Sequence, residues 1–475
     1  MSADSRARRP GFGRLGLALV VAAVASLVIL VPGASANFTL AKCQGSTADG
    51  RGASFQDDAQ VSVFEPNFRT LPLWCGPTAP DITYDPAGSG AGRRALGERG
   101  SGNPQGLRDP NIRFGATDEG PNATQRSQME LGPTVNPDGT GGDLTPTDNG
   151  QLRVIPVAQG SIAIAVNFPN GCAVPNTSPQ ATDPGTAHIR FFAEGTAWEN
   201  AFAGDPSVDR WGELLPTIVG TTKTTTQCQN VLVKRVVRCD SSGTTFEFKK
   251  WLAEANPARG WAALGNVVWP NDAGTTVTVR AAPPTCSAPF AGNGPQADKL
   301  KATDGGIAYL VLGDARDDAF FRSAGADDKY WVKVRNGDPS TTTGSLREPT
   351  KDQVVTDGTT KGADCELTFY NGVPGGGEPT LGDWSGATAD RSTGPYPLCS
   401  LTYMLAFDDN ADVYGNTPAE EAEARTVFDY LTSAVHPSGQ AKLKTKDYAK
   451  LPSVAPQNLR GLAAQAVTRI NWATP

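Results

Sequence analysis

The stretch Arg238-Cys239-Asp240-Ser241-Ser242-Gly243-Thr244-Thr245-Phe246 carries more information than any other in this chain. Hydroxyl residues and a glycine precede a run in which Phe246, Phe248, Trp251, Leu252 and Ala255 predict an amphipathic helix. The start of a helix leaves about four backbone N–H groups without partners and carries the positive end of the macrodipole. Hydroxyls and an arginine at such an end build a small pocket for an oxyanion. An ordinary capped helix would explain the same stretch equally well, so the decision rests on the rest of the chain.

Three further turns have the same chemistry. Gly50-Arg51-Gly52-Ala53-Ser54-Phe55 lies early in the chain, and Gly88-Ser89-Gly90-Ala91-Gly92-Arg93 follows a strand candidate, 81–84, and opens a helix candidate. Phe114-Gly115-Ala116-Thr117-Asp118 ends another strand candidate, 112–114. Open α/β sheets bind ligands where the carboxyl ends of strands meet helix starts. A partly protonated anion such as phosphate needs donors for its bare oxygens and one acceptor for its P–OH. Asp118 is the natural acceptor and Arg238 the natural counter-charge. A carboxylate there also rejects sulfate, which brings no proton to it. Taken singly, Asp118 reads equally as a helix cap and Arg238 as half of a surface ion pair.

None of these turns matches a nucleotide-binding glycine loop or a hydrolase nucleophile elbow. Together, however, they resemble the phosphate-binding component of bacterial phosphate ABC transporters. Gly50–Phe55 is similar to that family's G-A-G-[AS]-[TS]-F, with Arg51 as the departure. Tyr84–Gly92 is similar to Y-x-x-x-G-S-[SG]-x-G, Phe114–Asp118 to F-G-A-[ST]-D, and Arg238–Phe246 to R-S-D-G-S-G-T-[ST]-F with Cys239 and Ser241 departing. Val154–Pro169, Gly306–Gly313, Tyr396–Leu398 with Thr402-Tyr403, and Tyr448–Pro452 continue the likeness in the same order. Gln56 stands where proline is common in the family.

The resemblance implies a two-lobed α/β fold of the type 2 periplasmic binding proteins, with the ligand in the interlobe cleft. It puts lobe one at 37–157 plus 396–475, lobe two at 158–395, and hinge crossings near Val157 and Tyr396. Carried over by position, the ligand contacts fall on Ser54, the backbone N–H of Phe55, Ser89 and Asp118 from lobe one. Arg238, Ser242, Gly243 and Thr244 come from lobe two. It also implies inorganic phosphate as ligand, a transporter permease as partner, a monomeric state, and no cofactor. Arg51 would point to solvent or add charge beside the pocket.

The ends and the composition set the surroundings. Arg6, Arg8, Arg9 and Arg14 precede an apolar run from Leu15 to Val31, and Ala34-Ser35-Ala36 follows, which predicts a secretory leader cleaved after Ala36. An uncleaved anchor is the alternative. All eight cysteines follow the leader, and sequence neighbours suggest the pairs Cys43–Cys75, Cys172–Cys228, Cys239–Cys286 and Cys365–Cys399. With no C-x-x-C pair and two histidines, a zinc site is not expected. The formal charge of −7 becomes about −10 once Asp4 and the four leader arginines are removed. Nucleic acid is therefore excluded as a partner, whereas an anion held by local dipoles is not.

Further strand candidates are 154–157, 162–167, 231–238 and 307–312, and helix candidates are 93–97, 246–255 and 422–434. Two Gly/Pro/Asn/Thr-rich stretches, 119–151 and 337–395, read as insertions, the first a long loop and the second a stapled excursion holding a short strand at 367–370. Two other functions fit less of the pattern. One is a secreted phosphate scavenger, sensor or surface protein without a transporter. The other is a phosphoester hydrolase using Ser54, Ser89 or Ser242, which would need His188 or His436 as its base.

Overall fold

The computed structural model describes residues 37–472 except 71–73, 101, 134–149, 174–191, 194, 239, 262–268, 270–291, 321–328, 338–344, 352–360 and 392–394. The leader with its cleavage site, His188 and the expected Cys239–Cys286 pair lie outside the described residues.

Short runs rich in Val, Ile, Ala and aromatic residues build one nine-stranded sheet. In chain order its strands are β1 (Ala48–Gly52), β2 (Ile82–Asp85), β3 (Ile112–Thr117), β4 (Leu152–Asn167), β5 (Lys234–Val236), β6 (Gly306–Val311), β7 (Lys329–Trp331), β8 (Cys399–Phe407) and β9 (Tyr448–Ala449). The order is β2-β1-β3-β8-β4-β6-β5, with β7 and β9 also paired to β4. The outer pairs β1–β2, β1–β3 and β5–β6 are parallel, and β4 joins β8 and β6 antiparallel. Parallel neighbours need helical crossovers, and these supply the helix starts that matter below. Among the helices, those used below are α1 (Ser89–Ala95), α2 (Ala123–Leu131), α3 (Gly243–Ala255), α4 (Asn293–Lys301) and α5 (Pro418–Val435).

Strand β4 organises the whole sheet. All 16 of its residues are buried, as expected of a run covered on both faces. The two strands expected at 154–157 and 162–167 are this one strand. It changes partner in mid-course: Ser161 pairs with Cys399 of β8, and the next residue, Ile162, pairs with Val311 of β6. The returning chain lies alongside at the same level, with Ile162 N–H donating to Leu398 O (2.9 Å) and the Tyr396 hydroxyl to Ile162 O (2.9 Å).

Pro156 cannot donate to a ladder, and the β4–β8 register slips beside it, from Tyr403↔Pro156 to Thr402↔Ala158. Val157, skipped by the slip, gives its carbonyl to Gln440 Nε2 at 2.7 Å.

Several expectations need correction. The strand expected at 231–238 is confined to Lys234–Val236, because Val231 O and Val233 N–H bond to Trp211 and Asp209 instead. The stretch 119–151 is not all loop: it holds α2, started by a capping box between Asn122 and Gln125. In the second insertion, strand pairing lies at Tyr370–Asn371 with Thr388–Ala389, while Leu367 is fully out in solvent at 87% exposure. Helix α3 begins three residues before Phe246, and α1 and α5 begin four residues before the 93 and 422 starts expected.

The disulfides Cys43–Cys75, Cys172–Cys228 and Cys365–Cys399 are formed as expected. Three such bonds suit an oxidising, extracytoplasmic compartment. Among the described residues no helix is long and apolar enough to cross a membrane. Cys365–Cys399 staples the second insertion to β8, and the fully buried Trp384 packs it down, edge-on to Tyr403 at 5.3 Å. On its other side the insertion reaches α3, through Lys250 Nζ to Ala387 O (3.0 Å) and an Arg391–Glu254 ion pair.

Candidate functional site

The four turns named from sequence meet where β1, β3 and β5 end. Ser242 caps α3, its Oγ accepting from Thr245 N–H at 3.2 Å. Gly243 follows and lies directly on the other half of the site: a Cβ built there would stand 2.5 Å from Ser89 Oγ and 2.7 Å from Asp118 Cβ. The turn before α3 also abuts α1, with Gly90 N–H donating to Ser241 O (3.1 Å). The helix starts of α1 and α3 thus converge on one point. Both bring backbone N–H groups and the positive ends of their dipoles.

Asp118 is buried at that point, 2% exposed. Its Oδ1 accepts from the Thr402 hydroxyl at 2.7 Å, and its Oδ2 lies 3.3 Å from Ser89 Oγ. Burial pushes its carboxyl up to about 7, against the opposing pull of the Thr402 hydrogen bond, the Arg238 charge and Ser89. The turn carrying it is pinned by Arg93, which bonds Thr117 Oγ1 (3.1 Å) and pairs with Glu119 (2.7 Å) and Glu98 (2.9 Å).

Arg238 is 1% exposed, so the sequence alternative of a surface ion pair does not hold. Asp240 grips its guanidinium, Nε to Oδ1 at 2.6 Å and Nη2 to Oδ2, and with the other nearby acids raises its affinity for the proton despite burial. The third nitrogen, Nη1, donates to Asn293 Oδ1 at 3.0 Å. Asn293, the first residue of α4, then reaches Ser54 Oγ at 3.3 Å. Below the loop, the Tyr309 hydroxyl lies 2.7 Å from Thr245 Oγ1 and accepts from Arg238 N–H (3.2 Å). Tyr309 itself stacks on Phe248 in the aromatic core beneath α3.

All eight residues named from sequence are therefore placed. Ser89, Asp118, Ser242, Gly243 and Thr244 share the junction of α1, β3 and α3. Ser54 joins through Asn293 and Arg238, and Phe55 is anchored by Tyr448, whose hydroxyl donates to its carbonyl. Thr244 Oγ1 is buried without a hydrogen-bond partner among the described residues. Arg51 pairs with Asp85 at 3.0 Å on the sheet's edge.

Asn293, Thr402, Asp240 and Gln56 join the site beyond the eight residues expected from sequence. Asp240 lies inside the quoted turn, Gln56 is a departure from the family pattern, and Thr402 belongs to a stretch that continues the family likeness. Asn293 comes from far along the chain, with no local signal beyond a helix start. Beside Ser54 a cleft of about 300 Å³ opens, with Asp57, Asp58, Asp314 and Asp317 on its wall. Burial and the neighbouring aspartates push Asp314 up to about 7.

His436 serves a structural end: its Nδ1 lies 2.7 Å from Ser438 Oγ at the start of the next helix, and its ring stands edge-on to Trp74. Among the described residues, its hydrogen bonds and ring contacts reach none of Ser54, Ser89 and Ser242.

The model of the PBP superfamily domain matches residues 50–435. The chain belongs to the PBP superfamily. Among solved structures this PBP-superfamily chain shares its fold with a high affinity periplasmic phosphate-binding protein, PfluDING, bound with phosphate (16% identity, 87% of this chain and 92% of that one, TM-score 0.50). It is also similar to a phosphate binding protein from Stenotrophomonas maltophilia (15% identity, 88% and 93%, TM-score 0.51) and to a human phosphate binding apolipoprotein (17% identity, 87% and 92%, TM-score 0.50). No curated protein matches the sequence significantly.

Proposed function

We propose that this PBP-superfamily protein is an extracytoplasmic solute-binding protein that captures inorganic phosphate for an ABC importer. The observation that carries the reading is the meeting of two helix starts, a buried arginine and one carboxylate, with a buried Thr244 hydroxyl that has no partner among the described residues. The first N–H groups of α3, the N–H and hydroxyl of Ser89 at the start of α1, Ser54 and Arg238 are the donors, and Asp118 is the acceptor for P–OH. Ser242 caps the helix and Gly243 lets its backbone come close. The family resemblance and the phosphate-binding proteins of the same fold support the choice of ligand.

Residues 37–157 with 396–475 act as one lobe and 158–395 as the other. The hinge is the level at which β4 changes partner, where Ile162 meets Tyr396 and Leu398. A ligand held from both sides favours the closed arrangement, which a permease can distinguish from the open one. Phosphate has five heavy atoms, and a ceiling of about −1.5 kcal/mol per atom corresponds to a low-micromolar Kd. The protein is expected to act as a monomer.

Titration calorimetry of the chain from Asn37 with phosphate, and with sulfate as control, tests this. One-to-one phosphate binding at or below a few micromolar, lost in Asp118→Ala, is the expected result. Absence of binding, or equal binding of sulfate, would overturn it.

A further inference from the structure

We propose that Gln56 and Thr402 set the anion specificity of this site by tying up Asp118 Oδ1 and so holding Asp118 as an acceptor that meets the ligand through Oδ2. The proposal deepens the phosphate reading above and rests on it. Gln56, Thr402 and Asp118 are all buried, at 0, 0 and 2% exposure.

The direction of each bond follows from what each atom can do. Gln56 Nε2 lies 2.8 Å from the carbonyl oxygen of Tyr403, which can only accept, so that end of the amide is the NH2 group. Its other hydrogen goes to Thr402 Oγ1 at 2.6 Å. The amide oxygen is held from behind by Gln60 Nε2 (2.7 Å), whose own oxygen accepts from the Tyr430 hydroxyl (2.5 Å). Thr402 Oγ1 is thereby an acceptor toward Gln56, and its one proton is left to donate. Asp118 Oδ1 at 2.7 Å is its partner; the alternative, Thr117 O, is at 3.4 Å. Oδ1 is thus occupied, while Oδ2 accepts only the long 3.3 Å bond from the Ser89 hydroxyl, whose oxygen accepts from Asp118 N–H at 3.1 Å and whose proton can turn to an anion in the site, leaving Oδ2 to the ligand.

The chemical consequence concerns what a neutral Asp118 would do. A protonated carboxyl is a donor, and sulfate would accept from it as readily as phosphate. A carboxylate accepts only, and it rejects an anion that brings no proton. Asp118 sits close to that boundary, because burial pushes it up to about 7. The charged groups facing it are Arg238, which favours the carboxylate, and Glu247 of α3, which opposes it. The nearby hydroxyls of Tyr84, Tyr403 and Tyr448 are neutral at the pH of interest. The Thr402 hydrogen bond is the largest of the influences holding the carboxylate.

Wild type, Gln56→Leu, Thr402→Val and Thr402→Ser are titrated with phosphate and sulfate at pH 6 and pH 8, and the Asp118 carboxyl is followed by carbon-13 NMR. Loss of the charge-assisted Thr402–Asp118 bond predicts that Thr402→Val narrows the phosphate-to-sulfate ratio by about tenfold, and Gln56→Leu, which removes only the neutral bond that directs Thr402, by about threefold. The Asp118 titration should move to higher pH in both, and Thr402→Ser should restore wild-type behaviour. An unchanged ratio and titration, or equal weakening toward both ions, would overturn the proposal. If either variant does not fold, the other carries the test. If wild type binds neither ion, the phosphate reading fails, and an unmoved Asp118 titration would separately sink the relay.

Discussion

Gly243 and Ser89 touch across the candidate site, so closely that a single methyl group on Gly243 would stand 2.5 Å from Ser89 Oγ. The contact brings the start of α3 against the start of α1, and a Cβ there would also press on Asp118 Cβ and on Glu119 N. Backbone cannot yield as a flexible side-chain end can. Gly243→Ala is expected to cost about 1–3 kcal/mol of stability by overpacking. The same wedge separates the donors, so calorimetry should show phosphate affinity lowered about tenfold or more. Unchanged binding would mean that the two helix starts do not act together.

Asp118 gives a pH dependence whose sign is fixed by its burial. Its folded value of about 7 lies above the ordinary carboxylate value of 3.8, so the folded state holds a proton that the unfolded state releases between these limits. Stability therefore falls as pH rises from about 4 to about 7 and stays lower above that. Asp118→Asn keeps the shape and removes the ionisation, and is expected to stabilise the ligand-free protein at pH 8 by about 2–4 kcal/mol. At pH 4 the gain should vanish. Denaturant midpoints of both proteins at the two pH values read this out directly.

Arg238 holds Asp240 as well as facing the site. Arg238→Ala leaves the half-buried Asp240 carboxylate without its partner and is expected to destabilise the fold by about 1–3 kcal/mol. Arg238→Lys retains the charge but cannot reach Asp240 with two nitrogens and Asn293 with a third. Thermal melts should rank wild type above Lys above Ala, with phosphate binding weakened in both variants. A lysine variant indistinguishable from wild type would show that the fork geometry is dispensable.

The acidic wall beside Ser54 opposes the approach of an anion. Stopped-flow association of phosphate should therefore speed up as an inert salt screens Asp57, Asp58, Asp314 and Asp317. Replacing Asp58 and Asp317 by Asn should abolish most of the salt effect while leaving the dissociation rate nearly unchanged. Association that slows with salt would show that the anion enters by another face.

Trp384 anchors the second insertion, with its Nε1–H on Pro379 O (3.0 Å), its backbone N–H on Pro121 O (3.1 Å) and its ring against Tyr403. Trp384→Ala should destabilise the protein by about 3–5 kcal/mol, measured by denaturant unfolding. A loss below about 1 kcal/mol would mean that the insertion is held by Cys365–Cys399 and its ion pairs alone.

Much of the candidate site was legible because helix starts and strand ends carry local signals. Ser242-Gly243-Thr244 announces a capped helix N-terminus, and Phe114–Asp118 a strand ending in a carboxylate, so the donor and acceptor types were readable. The cysteine pairs at short separations were readable too, since neighbours along the chain are the partners most easily brought together. Elements within the insertions were misplaced because turn-rich composition hid the capping box at Asn122 and Gln125.

What the sequence by itself determined is the chemistry at each turn: hydroxyls, glycines, one arginine and one carboxylate at helix starts and strand ends, behind a leader-like N-terminus. These properties depend on residues within a few positions of one another. Only the tertiary structure decided that 154–167 is one strand with two partners, that Asn293 links Arg238 to Ser54, and that Gln56 and Thr402 orient Asp118. Those relationships join residues 239 and 346 positions apart for Asn293–Ser54 and Gln56–Thr402. A hydrogen bond's direction is set by which atoms the fold brings within reach, and no local pattern of residues encodes that.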